Sequence, residues 1–152
     1  SGAGDLLGVA LIIGIARGIV VIMDAGKITD TILFSGANLL SDLSPVGFVN
    51  VSFGIELVLS FFVPSSSGLA VLTMPIMAPL ADFAQVDRSL VVTAYQSANG
   101  LVNLINPTFA VVMGALAIGG VPYNRWLRFM WPLLLLLTVL IMAGLSISVI
   151  AP

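Results

Sequence analysis

Long apolar runs alternate along this chain with short polar segments that hold most of its charged residues. Residues 5–23 are rich in Leu, Ile, Val, Ala and Gly, and residues 129–150 are almost purely apolar. A helix of about 20 residues rises about 30 Å, which matches the hydrocarbon core of a bilayer. Each run therefore predicts a membrane-spanning helix. Aromatic and cationic side chains near the start of the last run predict an anchor at the membrane interface: Tyr123, Arg125, Trp126, Arg128 and Trp131.

Residues 24–44 have an amphipathic pattern. Four charged residues are interleaved there with Ile and Leu at spacings of three and four, which is typical of a helix with one apolar face. We expect this helix to lie along the membrane interface. Ser44 and Pro45 then predict the start of the next helix, because Ser caps helices and Pro favours the first helical position.

Residues 45–82 contain two apolar arms joined by a short polar turn. The turn covers residues 64–68, with the sequence PSSSG, and the second arm carries Pro75 and Pro79. That arm is too short and too interrupted to span a membrane alone. A polar turn exposed to lipid would leave its backbone groups unsatisfied. The pattern therefore predicts a re-entrant helical hairpin buried in protein, with its tip at residues 64–68.

The segment 88–119 is predicted to be a helix broken at mid-membrane. Residues 89–124 form an uncharged run of 36 residues, whereas a straight span needs about 20. Polar residues cluster in its middle, and Asn106 and Pro107 resemble the cap and first position of a second half-helix over 107–119. The chain thus predicts an all-α integral membrane fold. It has three spanning helices, one of them broken, with one interfacial helix and one re-entrant hairpin.

Composition narrows the function classes. The chain is 59% hydrophobic and 8% charged, whereas soluble domains carry about 25% charged residues, so membrane lipids are expected partners. Its net charge of −2 excludes a basic surface for nucleic acid. Cys and His are absent, so we expect no enzyme and no bound cofactor. The chain lacks an initiator Met, and Ser1-Gly2-Ala3-Gly4 resembles a cut end, which predicts a fragment of a longer protein.

The hairpin tip and the helix break are the candidate binding site. Each precedes a helix N-terminus, whose unpaired amides and partial positive charge bind anions without Arg or Lys. We therefore expect a substrate with at least one carboxylate, and freed backbone carbonyls suit sodium. The alternative is that these small polar residues only pack helices together. The candidate substrate-binding residues are Ser65, Ser66, Ser67, Gly68, Asn99, Asn103, Asn106 and Thr108.

Glu56 lies inside an apolar arm of the hairpin. A carboxylate at that depth is costly and marks a functional site by default. We expect it to bind a proton or cation coupled to transport. The alternative is a structural ion pair with Arg17 of the first span.

Two long stretches carry a family resemblance: FVPSSSGLAVLTMPIMAPLAD and AYQSANGLVNLINPTFAVVMGALAIGGVPYNRWLRFMWPLL. They resemble the C-terminal half of the YfcC-like anaerobic dicarboxylate carriers of the ion transporter superfamily, which include proteins named as basic amino acid antiporters. The resemblance implies an elevator-type secondary transporter of two inverted repeats in a bacterial inner membrane. Residues 1–152 would be one membrane domain, the second repeat, with 24–44 as its arm helix. The missing N-terminal repeat and a second copy in a homodimer would be partners.

The resemblance also implies site roles. Superfamily relatives bind a substrate carboxylate and sodium through Ser-Asn-Thr motifs at the tip and the break. Here the tip reads Ser65-Ser66-Ser67, and the break reads Ser97-Ala98-Asn99-Gly100 with Asn106-Pro107-Thr108. The implied sodium ligands are Ser66, Ser67, Asn99 and Asn106.

These observations predict half of a secondary transporter for a small carboxylate-bearing solute, either a dicarboxylate or an amino acid. Transport would be coupled to sodium or protons, or would proceed by exchange. The missing repeat would supply the other half of the site. The alternative is a structural or assembly subunit of a membrane complex with no transport site of its own.

Overall fold

The computed structural model describes residues 2–40 and 42–151. The side chains of residues 2–6, 9, 12, 13, 16 and 17 lie outside the described part, as does residue 41 of the predicted amphipathic segment. The described residues contain α-helices and no strand, which confirms the all-α prediction. The helices are α1 (Gly2–Ala25), α2 (Ile28–Leu40), α3 (Pro45–Phe62), α4 (Ser66–Phe83), α5 (Arg88–Asn103), α6 (Ala110–Ile118) and α7 (Tyr123–Ile150).

By length and composition, α3, α4 and α7 are each able to cross a membrane, within the part of the chain that the structure describes. The prediction that the second hairpin arm is too short to span is therefore wrong, because α4 continues through Pro75 and Pro79 for 18 residues. Helix α7 begins at Tyr123, earlier than the predicted 129, because the interfacial residues continue the helix after Pro122. Helix α2 is shorter than the predicted 24–44. Asp24 belongs to α1, and Lys27, with φ of 50°, makes the turn between the two helices.

Helices α3, α5 and α7 pack side by side, with α7 opposite in direction to the other two. Asn50 near the start of α3 donates to the Ser146 hydroxyl near the end of α7 at 2.8 Å. One small cavity is lined by residues of α5 between 90 and 97 and by residues of α7 between 141 and 148. At the other end of α7, the Trp126 indole donates to the Leu104 carbonyl, just beyond the end of α5. The buried core lies between these helices, with Phe48, Phe53, Val91 and Leu134 among its members.

Helices α3 and α4 cover the two arms of the predicted hairpin, and both begin with a serine cap. The re-entrant course of this hairpin in the membrane stays a prediction. The Ser44 hydroxyl accepts from the Gly47 amide at 3.3 Å, and the Ser65 hydroxyl accepts from the Gly68 amide at 3.2 Å. Only residues 63–65 separate the two helices. The link is shorter than the predicted tip of 64–68, because α4 already begins at Ser66.

An ion pair joins the end of the hairpin to α5. Both Asp82 oxygens accept from the Arg88 guanidinium, one of them at 2.9 Å. Asp87 caps α5 through the Ser89 amide at 2.7 Å. The chain therefore turns tightly from the hairpin into the broken helix.

The break between α5 and α6 covers residues 104–109. The prediction that Asn106 caps a half-helix opening at Pro107 is wrong, because α6 begins at Ala110 with Phe109 as its cap. The Asn106 side-chain oxygen instead accepts from the Thr108 amide at 3.0 Å, which closes a local turn around Pro107. The break is therefore wider than a single capping position.

Candidate functional site

A cavity of about 380 Å³ lies where the hairpin tip and the helix break meet the end of α1. Three segments far apart in sequence contribute to it, which makes it a property of the tertiary fold. Its walls are mostly apolar, with a few polar groups, as is usual for small-molecule sites. The lining residues are Val20, Asp24, Val63, Pro64, Ser65, Gly68, Leu72, Thr108, Phe109 and Ala110.

Two helix N-termini border this cavity. Ser65 and Gly68 line it at the start of α4, and Phe109 and Ala110 line it at the start of α6. Phe109 supplies no side-chain hydrogen bond to cap α6, so the first amides of α6 keep their donor capacity. Both ends carry partial positive charge. The cavity therefore offers an anion two sets of backbone donors, and no cationic side chain is among the described residues that line it.

Asn106 joins the break to the hairpin. It is fully buried, and its amide nitrogen donates to the carbonyl oxygens of Phe61 at 3.0 Å and Ser60 at 3.3 Å. Its oxygen accepts from the amide and the hydroxyl of Thr108, the latter at 2.7 Å. These bonds satisfy carbonyls at the end of α3 and hold Thr108 against the cavity.

The predicted substrate residues fall into two groups. Ser65, Gly68 and Thr108 line the cavity, with Asn106 directly behind Thr108. The other four do not line it. Ser66 and Ser67 are exposed, as Ser65 is, but they do not line the cavity. Asn103 donates to the Asn99 oxygen at 3.0 Å on the buried side of α5.

Glu56 lies apart from the cavity, in the interior of the bundle. It is 1% exposed, and its carboxylate has no hydrogen-bond partner among the described residues. Thr73 of α4 interacts with it across the hairpin. The alternative ion pair with Arg17 involves a side chain outside the described residues.

Sequence reasoning missed two donors that stabilise the break. The Trp126 indole donates to the Leu104 carbonyl at 2.9 Å, and the Tyr123 hydroxyl donates to the Ile105 carbonyl at 2.5 Å. These carbonyls follow the end of α5, where a helix leaves acceptors unpaired. Tyr123 and Trp126 lie three residues apart at the start of α7. This pair of aromatic donors was the available signal in the sequence. The sequence predicts Trp126 as an interfacial anchor, and the structure shows that it also donates a hydrogen bond to the helix break.

Sequence reasoning also left Asp24 out of the site. The residue ends α1 and lines the cavity, but the amphipathic pattern of 24–44 had placed it with the interfacial helix. Among the described residues, no group of three or more acidic, His or Cys side chains could hold a metal ion. The predicted sodium set of Ser66, Ser67, Asn99 and Asn106 stays a prediction.

Comparison with known proteins gives a consistent family match. A family model described as "DcuC: C4-dicarboxylate anaerobic carrier" matches residues 1–150. An "Uncharacterized protein" of Haemophilus influenzae (strain Rd) is 41% identical over 133 residues, which cover 88% of this chain and 26% of that protein. "Putative basic amino acid antiporter YfcC" of Escherichia coli (strain K12) is 37% identical over 132 residues, covering 84% and 26%. The chain spans about a quarter of the length of these curated relatives. No solved structure matches.

Proposed function

The chain belongs to the C4-dicarboxylate anaerobic carrier family, and on that premise we propose that it forms part of a secondary transporter for a small carboxylate-bearing solute; the half predicted from the sequence is too large a share, because the chain covers about a quarter of its relatives' length. It is a multi-pass chain of the inner membrane. The observation that carries the proposal is the cavity in which the hairpin tip and the helix break present two helix N-termini together.

The chemistry of the cavity suits a carboxylate. The Ser65 hydroxyl oxygen accepts from the Gly68 amide, which leaves its own proton to donate to a solute oxygen. The uncapped start of α6 adds backbone amides on the other side. Such donors bind negative charge through hydrogen bonds and the helix dipole.

Asp24 favours a solute that also carries positive charge. It is the charged side chain among the described residues that line the cavity. A second carboxylate on the solute would be repelled by Asp24, whereas an ammonium or guanidinium group would be attracted. We therefore favour an amino acid over a dicarboxylate. The E. coli relative is named as a basic amino acid antiporter, and this name supports the same choice.

The proposed transport cycle is of the elevator type. The hairpin and broken helix move as one unit past a scaffold, and the solute shifts the population toward the state that binds it better. The missing N-terminal repeat supplies the second half of the site, a homodimer supplies the scaffold, and membrane lipids surround both. Transport is coupled to sodium or protons, or proceeds by exchange.

Ligand-dependent stability tests this function. The intact carrier is purified in detergent, and its unfolding is followed with arginine, ornithine, aspartate and dicarboxylates, with and without sodium. A bound solute at 100 times its Kd adds about 2.7 kcal/mol to the unfolding free energy. We expect a basic amino acid to give this shift, Asn106→Leu to abolish it, and the exposed control Asn124→Leu to keep it.

The alternative, a structural or assembly subunit, gives a different result. Its polar breaks would only hold helices together, so no solute would change stability. Neither the unmodified protein nor the variants Ser66→Ala and Asn106→Leu would then show a solute-dependent change in stability. A complete absence of shifts across the solute panel would contradict the carrier proposal.

A further inference from the structure

A stripe of buried polar residues runs along one face of α3. Ser52, Glu56 and Ser60 lie four residues apart and are each 1% exposed or less. Residues at this spacing are neighbours on a helix surface. The stripe points into the bundle, and it does not line the proposed solute cavity.

Two other helices bring polar groups to the same place. Thr73 of α4 is fully buried and interacts with the Glu56 carboxylate. Tyr95 of α5 is close enough to Glu56 for an electrostatic interaction, and Asn99 follows one turn later on the same buried face. The cluster therefore has walls from three helices.

The hydroxyls of this cluster differ from several other helical hydroxyls among the described residues, although Thr29 of α2, outside the cluster, also lacks a partner there. The Ser52 and Ser60 hydroxyls have no hydrogen-bond partner among the described residues. The Thr73 hydroxyl is a neighbour of the Glu56 carboxylate, but the two do not meet hydrogen-bond geometry, and neither has another partner in the described part. Serine and threonine in helices commonly donate to the carbonyl four residues earlier. Four others here do so: Thr31, Thr93, Thr138 and Ser146.

Buried polar groups without partners are unfavourable unless a ligand satisfies them. We propose that Glu56, Ser60 and Thr73 form a binding site for a monovalent metal cation, sodium; Ser52, two turns of α3 before Ser60, lies too far along the helix to share the same ion. One carboxylate balances one positive charge, and neutral hydroxyl oxygens complete a set of hard oxygen ligands. A divalent ion would need more carboxylates. An exchange of the two amide orientations of Asn99 and Asn103 keeps their mutual bond and offers the Asn99 oxygen as a further ligand.

The cluster is connected to the solute cavity from behind. Asn106 donates to the Ser60 carbonyl and accepts from Thr108, which lines the cavity. The Tyr95 hydroxyl donates to the Ser66 carbonyl at the start of α4. A cation at Glu56 would thus order the end of α3 and the hairpin tip together. This site deepens the proposed function, since it assigns a coupling ion to a place separate from the solute.

Sodium binding is tested without solute, in the intact carrier. Unfolding temperature is measured as NaCl replaces KCl at constant ionic strength. We expect a saturable sodium-specific increase that Glu56→Gln abolishes. Ser60→Ala and Thr73→Val raise the half-saturating sodium concentration about tenfold or more, since each removes a ligand. Thr138→Val, which removes a hydroxyl bonded to its own helix, is the matched control and keeps the response.

Absence of a sodium-specific shift in the unmodified carrier would overturn the site and leave a proton or a cationic side chain such as Arg17 as the partner of Glu56. Retention of the full shift in Ser60→Ala and Thr73→Val would also overturn it, even where Glu56→Gln fails to fold. A sodium shift without any solute shift would contradict the proposed function while supporting this site.

Discussion

At the scale of single residues, Asn106 shows how one amide joins two segments. Its amide nitrogen donates to two carbonyls at the end of α3, and its side-chain oxygen accepts from the amide and the hydroxyl of Thr108. No other common side chain of this size has both a planar donor and an acceptor for these roles. The contact between hairpin and break therefore depends on the amide itself.

Asn106→Asp separates the donor from the acceptor. The carboxylate keeps an oxygen for Thr108 but faces the Ser60 and Phe61 carbonyls without a proton to donate. We expect it to lower the unfolding free energy by about 2 kcal/mol or more. Denaturant unfolding in detergent measures the loss. Asn124→Asp, at an exposed position, should cost less than about 0.5 kcal/mol, and equal losses would contradict the buried role.

Arg88→Gln tests the ion pair at the end of the hairpin. The pair needs Asp82 in its charged form, so its contribution to stability is present near neutral pH and is lost when acid protonates the carboxylate. Because both side chains are more than half exposed, we expect a small effect. The difference in unfolding temperature between the two proteins should be largest near neutral pH at low salt. A difference that grows in acid would contradict this assignment.

At the scale of elements, both interruptions are stabilised by groups from outside their own helices. Tyr123 and Trp126 donate to the carbonyls that follow α5, and Asn106 donates to those at the end of α3. Ser65 caps α4, whereas α6 has no side-chain cap. The C-terminal ends are thus satisfied internally, and the N-terminal ends keep donors at the cavity.

Ser65→Ala and Ser44→Ala form a matched pair. Each removes the serine cap of a hairpin helix, so each should cost about 1 kcal/mol of stability. Ser65 lines the cavity, and Ser44 lies at the other end of the hairpin. We expect Ser65→Ala to weaken the thermal shift given by the solute, whereas Ser44→Ala keeps it. Equal ligand responses would show that the Ser65 hydroxyl does not contact the solute.

Trp126→Phe and Trp131→Phe compare two tryptophans of α7. Trp126 donates to the Leu104 carbonyl, and Trp131 is 59% exposed. Trp126→Phe leaves a part-buried acceptor without its donor and should cost about 1–3 kcal/mol. Thermal unfolding in detergent measures both variants. If Trp131→Phe is the more damaging change, the capping role of Trp126 is wrong.

The sequence predicted helices and interruptions better than it predicted contacts. Apolar run lengths, Ser44-Pro45 and the polar turn at 64–68 located the hairpin to within a few residues, because these signals are local. The predicted start of the second half-helix, at Pro107, was wrong by three residues, because α6 begins at Ala110. Asn106 and Pro107 have the local pattern of a cap, but the Asn106 donor is used by carbonyls 45 and 46 residues earlier in the chain.

The candidate site was predictable in part for the same reason. Ser65, Gly68 and Thr108 follow from the position of helix starts. Asp24 does not, because its place at the cavity depends on how the end of α1 packs against the tip and the break. The donors Tyr123 and Trp126 likewise reach backbone atoms that no pattern of side chains marks.

At the scale of the whole molecule, the cavity is assembled from the end of α1, the hairpin tip and the break. The bundle of α3, α5 and α7 holds the last two in place, and the Glu56 cluster lies within that bundle. Asn106 bonds the Ser60 carbonyl beside the cluster and Thr108 at the cavity, so order at one site favours order at the other. We therefore expect solute and sodium to bind cooperatively. Isothermal titration of solute should give a lower Kd in NaCl than in KCl, and identical values would contradict this coupling.

The most direct test of the solute cavity is protection of a single cysteine. This chain contains no Cys, so Phe109→Cys is introduced at the cavity wall and Ile118→Cys at an exposed position of the same half-helix, 72% exposed, in an intact carrier free of other cysteines. The rate of maleimide labelling is measured with and without a basic amino acid. We expect the solute to slow labelling at position 109 and not at 118. Equal rates with and without solute at position 109, under conditions in which the solute is bound, would contradict a solute site between the hairpin tip and the helix break.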